Sequence, residues 1–175
     1  YEGYWSGNQA NGRGRLIHPN GDVFEGFWKN DEMHGLGRYI HFDGVVNEGT
    51  WANNKQTGYG TEVGIDKERF EGQFQDGFKE GRGKCTWVDG SYYEGDFHKD
   101  RLEGSGVYVW ADGRRYEGQW RNNKMEGKGK LTWADGQSYE GDFLDDQKHG
   151  YGVFTWSDGS RYEGNWINGK QHGQG

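Results

Sequence analysis

Eight glutamates recur at a fixed interval and are the first residues whose type and spacing could do chemistry: Glu2, Glu25, Glu48, Glu71, Glu94, Glu117, Glu140 and Glu163. Each stands between an aromatic residue (Asn47 in one case) and a glycine, as in an extended strand. Two strands between successive copies would set the carboxylates ~10 Å apart. Paired carboxylates that share acid–base work generally stand closer than that. The row reads as a solvated face with cross-strand cations Arg15, Arg38, Lys84 and Lys130 as partners. Its functional alternative is a repeated polar clamp on a partner peptide.

Other reactive types lead no further. His34, His149 and His172 share one place in the interval, so each is a full period from the next and too distant to share a zinc ion. His18 and His41 stand where later copies carry Trp, and read as packing substitutes. Cys85 stands in the slot of Leu131 and Phe154 and reads as core. A recurrent Asp in the loops offers one carboxylate each, against the roughly six to eight oxygens that calcium takes. The repeated Gly-x-Gly lacks the third glycine and the helix of a phosphate-binding loop. No nucleophile elbow, Walker loop, HExxH or CxxC is present. The expectation is a chain without catalytic residues, metal or cofactor.

The interval itself carries the information. A Tyr/Phe-Glu-Gly triplet begins at Tyr1, Phe24, Phe70, Tyr93, Tyr116, Tyr139 and Tyr162, with Asn47-Glu48-Gly49 as the departure. Four residues on stands an aromatic: Trp5, Trp28, Trp51, Phe74, Phe97, Trp120, Phe143 or Trp166. Gly-x-Gly follows, then an Asp-Gly or Asn-Gly pair that the third copy replaces with Asp66-Lys67. The period is 23 residues without insertion or deletion. This pattern resembles the MORN (membrane occupation and recognition nexus) repeat along the whole chain. The array is expected to be one domain over 1–175, with repeats starting at 1, 24, 47, 70, 93, 116 and 139 and a partial repeat at 162–175. It begins and ends inside a repeat, so it reads as a piece of a longer protein.

Composition agrees with a packed but unusual core. Only 30% of residues are hydrophobic and 34 are Gly, yet the aromatic fraction is 17%. Disordered chains are poor in rings, so the core must be built from Trp, Tyr and Phe. Repeat positions 1, 3 and 5, and then 12, 14, 16 and 18, share a strand face by period-two alternation. The expected fold is all-β: an elongated, twisted antiparallel β-meander of consecutive hairpins, one per repeat. A three-residue loop such as Ala134-Asp135-Gly136, with Gly in the left-handed region, keeps all rings on one side. The third repeat, lacking that Gly, is expected to have a different and looser loop.

A single Cys excludes an intramolecular disulfide, no apolar run nears the ~20 residues of a membrane span, and no targeting segment is visible. The net charge of −7 argues against nucleic acid as partner. Repeats one to three are apolar on the second face too, with Tyr4, Ile17, Phe27, Leu36 and Tyr59 where later repeats are mostly polar. Such a patch is covered by another part of the protein, by a partner, or by a second copy.

The resemblance implies an intracellular, non-catalytic scaffold that holds partner peptides or helices in a cytoskeletal or membrane-associated assembly. Candidate contacts are Tyr4, Phe27, Leu36 and Tyr59 with the ring-face residues Trp5, Trp28 and Trp51. A phospholipid-binding tether is the alternative, since the family is linked to phosphoinositides. Its candidates are the loop cations Lys55, Lys79, Lys124 and Lys148, although neighbouring acidic residues interrupt that row. A third reading is the regulatory arm of an enzyme such as a phosphoinositide kinase.

Overall fold

The computed structural model describes residues 1–175 and contains strands and turns but no helix. The chain divides into two compact units, Tyr1–Val88 and Asp89–Gly175. The first holds β1 (Glu2–Ser6), β2 (Gln9–Ile17), β3 (Val23–Lys29), β4 (Glu32–Ile40), β5 (Val46–Ala52), β6 (Lys55–Val63), β7 (Arg69–Gln75) and β8 (Phe78–Thr86). The second holds β9 (Tyr92–His98), β10 (Arg101–Val109), β11 (Arg115–Arg121), β12 (Lys124–Thr132), β13 (Ser138–Leu144), β14 (Gln147–Thr155), β15 (Arg161–Ile167) and β16 (Lys170–His172). Within each unit every strand pairs antiparallel with the next, as a meander of hairpins.

Two kinds of turn alternate. Between repeats, Trp133 N–H donates to the Gln137 carbonyl at 2.8 Å and Gly136 takes φ 92°, so Ala134-Asp135-Gly136 is the expected three-residue loop. The Asp135 carboxylate accepts the Gln137 N–H at 3.1 Å, which is why a short side-chain acceptor recurs there. The other turn lies just before the expected loop cations. Residues seven and eight of the repeat form a two-residue turn with positive φ at both, as at Asn122 (50°) and Asn123 (67°). That is the primed geometry that fits the twist of paired strands. The eighth residue also joins neighbouring hairpins: the Asp146 carboxylate accepts the Met125 N–H at 2.7 Å.

Because this turn is tight, the second strand of each repeat begins at position 9. Position 10 therefore lies on the ring face, and Ala10, Met33 and Met125 are buried there. Position 12 does not: it bulges, Gly35 takes φ 96°, and a Cβ built there would meet Phe27 on the opposite face. The second glycine of the pair has another role. A Cβ on Gly129 would sit 2.4 Å from the Tyr116 ring. The rings at positions 1 and 5 then stack edge to face along the core. Tyr116 meets Trp120 at 5.1 Å and Phe143 at 5.1 Å, and Tyr139 meets Phe143 at 5.1 Å and Trp166 at 5.4 Å. These are favourable quadrupole geometries.

The third repeat corrects one expectation. Its inter-repeat loop is not looser: Gly64 N–H donates to Glu68 O at 2.9 Å and Lys67 N–H to Gly64 O at 3.1 Å, the same bonds as in the glycine loops. Lys67 instead adopts φ 67° in the glycine slot. A residue with a Cβ is strained there by ~1 kcal/mol or more. Lys67→Gly is expected to raise the free energy of unfolding by about 1 kcal/mol in urea denaturation. A variant no more stable than wild type would show that the loop carries no strain.

Candidate functional site

The face opposite the rings carries the glutamate row and its cations. Arg15 Nε lies 3.1 Å from Glu25 Oε1, and the register sets Glu25 beside Arg38 and Arg38 beside Glu48. Both partners of the Arg15–Glu25 pair are about half exposed, so such a pair contributes little stability. In the first unit this ladder borders a groove of about 910 Å³ lined by Glu2, Arg13, Arg15, Glu25, Phe27, Leu36, Arg38 and Glu48. Phe27 is 44% exposed, Leu36 65%, Tyr59 60% and Tyr4 71%. The equivalent groove of the second unit, about 390 Å³, is lined by Glu117, Lys128, Lys130, Glu140 and glycines, with no apolar side chain. Apolar exposure is thus concentrated on the first three repeats. It follows from substitutions at positions 4 and 13, where later repeats carry residues such as Asp96, Gln119, Asp142 and Lys128.

The ring-face candidates separate. Trp5 stays 57% exposed in the first repeat, whereas Trp28 and Trp51 are each 7% exposed. Those two are core: Trp28 packs edge-on against Phe24 at 5.3 Å and donates its Nε1–H to the Gly14 carbonyl at 3.1 Å. A partner cannot reach either without opening the packing, so both leave the list of accessible contacts.

The loop cations also divide, for the reason given by the turns. Lys55 and Lys124 stand at position 9 and are exposed, Lys124 lying 3.6 Å from Asp145. Lys79 and Lys148 stand at position 10 and turn onto the ring face. The Lys79 ammonium is 2.9 Å from Glu62 and 5.2 Å from the Phe70 ring centroid. Lys148 lies among rings at 5.3–5.9 Å. The four lysines are therefore not one lipid-facing row.

A buried polar cluster, missed in the sequence, fills the core where the third repeat lacks its ring. Asn47 and Gln56 are 7% and 2% exposed. The Asn47 amide donates to Gln56 Oε1 at 3.0 Å and Glu62 Oε2 at 2.9 Å, and its Oδ1 lies 3.0 Å from His41 Nε2. Gln56 donates to the Glu48 carbonyl at 3.0 Å. Burial raises the Glu62 pKa, but hydrogen bonds from Asn47 and Lys79 and the Lys79 charge outweigh it, so the carboxyl is held below its ordinary range. The visible signal was that polar residues replaced rings and Met at positions 1, 10 and 16 within one repeat. The Trp51 Nε1–H beside this cluster has no acceptor within the protein. Cys85 is half-buried, and burial pushes its thiol up.

No three His, Cys, Asp or Glu side chains converge to hold a metal ion, and no helix is long and apolar enough to cross a membrane. Fold and period together define a β-hairpin repeat protein. The chain belongs to the MORN repeat family, which matches it at residues 1–23, 24–46, 48–69, 70–92, 93–114, 116–138, 139–161 and 162–175. No curated protein matches it. Among solved structures, it is similar to the TCP domain of SAS-4 (dCPAP) from Drosophila melanogaster, in complex with a proline-rich motif of Ana2 (dSTIL). That likeness has 13% identity and a TM-score of 0.52, over 89% of this chain and 85% of that one, and is one of fold. More remote are the TCP10 domain of Danio rerio CPAP in complex with a STIL peptide (14% identity, TM-score 0.37, 89% and 80% covered) and a streptogramin B lyase (12%, 0.22, 87% and 68%).

Proposed function

We propose that this chain is a non-catalytic protein–protein interaction scaffold in a cytoskeletal assembly, and that its partner surface is the outer face of repeats one to three. The observation that carries this reading is the set of exposed apolar residues Tyr4, Phe27, Leu36 and Tyr59, of which Phe27 and Leu36 line a groove of about 910 Å³ with the charged ladder. Apolar anchors inside a polar rim are the usual composition of a protein interface. The arrangement suits an extended peptide laid across the strands, with rings and Leu36 taking apolar side chains and the Glu–Arg ladder taking polar ones. The SAS-4 domain, whose fold is similar, is in complex with a proline-rich motif, which supports a peptide as the occupant.

The test is Tyr4→Ser with Phe27→Ser. Both side chains are exposed, so circular dichroism and the melting temperature are expected to change little. Capture of a protein partner from lysate, read by mass spectrometry, is expected to fall at least about tenfold. An identical set of captured proteins from both forms would sink the assignment of this face. Sedimentation velocity on the same pair separates a second copy of the chain from a different partner.

A further inference from the structure

The two inward-facing lysines occupy the same repeat position in different surroundings. Lys79 meets a counter-ion, Glu62, contributed by position 16 of the preceding repeat. For Lys148 the residue at that place is Leu131, which is 7% exposed. Its ammonium lies 5.3 Å from the Trp166 ring centroid, 5.4 Å from Trp133 and Phe154, and 5.9 Å from Tyr139. Burial among these rings lowers its pKa, and no carboxylate contributes. Rings attract a cation but do not replace the strong acceptors that three N–H donors require. The second unit therefore holds a half-buried ammonium that lacks the carboxylate its counterpart has.

The surroundings have the composition of a binding site. Trp110, Trp133 and Trp156 stand at one repeat position on this face; the first two are half-buried and Trp156 is 36% exposed. Trp133 and Trp156 both pack on Phe154, at 5.5 and 4.8 Å, so the lysine sits in a rigid aromatic frame. We propose that the ring face of the second unit binds an acidic peptide segment of a partner protein, one Asp or Glu carboxylate seating on Lys148 and adjacent apolar side chains lying on Trp133 and Trp156. A carboxylate fits better than a phosphate group, because one ammonium balances one charge. The net charge of −7 disfavours the extended surface of an anionic bilayer. This site lies in a different unit from the apolar groove and does not depend on it.

Selection from a displayed library of random dodecapeptides tests the proposal. The bait is the whole chain carrying Tyr4→Ser and Phe27→Ser, which removes the first surface, with and without Lys148→Met. Met is what position 10 carries at Met33 and Met125, so the fold is expected to persist, and a thermal melt checks it. Peptides recovered on the Lys148 form are expected to be rich in Asp or Glu beside apolar residues. A synthetic copy of the leading peptide is expected to bind about tenfold more weakly when its acid is changed to the amide, and to show no such preference on Lys148→Met. Equal acidic content in the two pools, recovery of no peptides, or binding only to phosphatidylserine vesicles would each overturn the proposal.

Discussion

Trp120→Ala lowers the free energy of unfolding by about 3–5 kcal/mol, while the same change at Trp5 costs about 1 kcal/mol or less. The two residues hold the same repeat position and differ in what surrounds them. Trp120 is 6% exposed, Trp5 57%. The Trp120 ring meets Tyr116 at 5.1 Å, Tyr93 at 5.4 Å and Tyr108 at 5.9 Å, so its removal leaves three rings facing a void. It also takes away the Nε1–H that donates to the Gly106 carbonyl at 3.1 Å, leaving a buried acceptor short of its donor. Trp5 has the Tyr1 ring at 4.9 Å but water on its other side. Urea denaturation of both variants measures the contrast. Equal losses would mean that the rings contribute through local strand pairing and not through the stacked core. Repeat proteins lose stability through neighbour terms, so the damage is also expected to reach the adjoining hairpins in hydrogen exchange.

Much of the fold was legible because the period repeats the same physical requirement. Ring, Gly, ring at positions 1, 3 and 5 fixes a strand face, and Asp-Gly, tested by parity, gave the three-residue loop. The primed turn was equally written in the chain, as Asn53-Asn54, Asn122-Asn123 and Asp145-Asp146, residue types that tolerate positive φ. Placing Lys79 and Lys148 with the loop cations leaves position 10 outside the sheet, and Met33 and Met125 outside the expected core with it. The outer-face strip was visible because an apolar residue on a face that other repeats leave polar stands out without any geometry. Trp28 and Trp51 were harder, since a single-layer sheet could leave such rings open. What closes over them is stacking with the position-1 ring of the preceding repeat: Tyr1 lies 5.4 Å from Trp28 and Phe24 5.3 Å from Trp51, and Phe24 also meets Trp28 of its own repeat at 5.3 Å. The polar cluster of the third repeat was legible only as polar residues at positions 1, 10 and 16, not as a network. It joins His41, Asn47, Gln56, Glu62 and Lys79, separated along the chain, and their meeting depends on register.

That cluster makes the second large prediction. Asn47→Ala is expected to cost about 2–3 kcal/mol at neutral pH and measurably less near pH 3. Asn47 is 7% exposed and is the hub, donating to Gln56 and Glu62 and lying within hydrogen-bond distance of His41. Its loss leaves those polar groups buried with fewer partners, which is costlier than never having made the bonds. The pH dependence follows from Glu62. Burial acts to raise its pKa, and the Asn47 and Lys79 contacts more than reverse this. A carboxyl whose folded pKa is depressed contributes stability above its unfolded value and loses it as pH falls through the folded value. Without Asn47 the largest hydrogen-bond contribution is gone, burial is opposed only by Lys79 and the nearby His41 charge, and that contribution shrinks at neutral pH. As pH falls through the folded pKa values of the two proteins, Glu62 becomes protonated in both, so the difference between them narrows. Urea denaturation at pH 7 and pH 3 reads this directly. A penalty of the same size at both pH values would assign Asn47 a packing role alone, and a penalty under about 0.5 kcal/mol would mean that water replaces its bonds. A penalty that narrows toward acid pH would place an ionised glutamate inside the aromatic core, held there by one amide and one lysine.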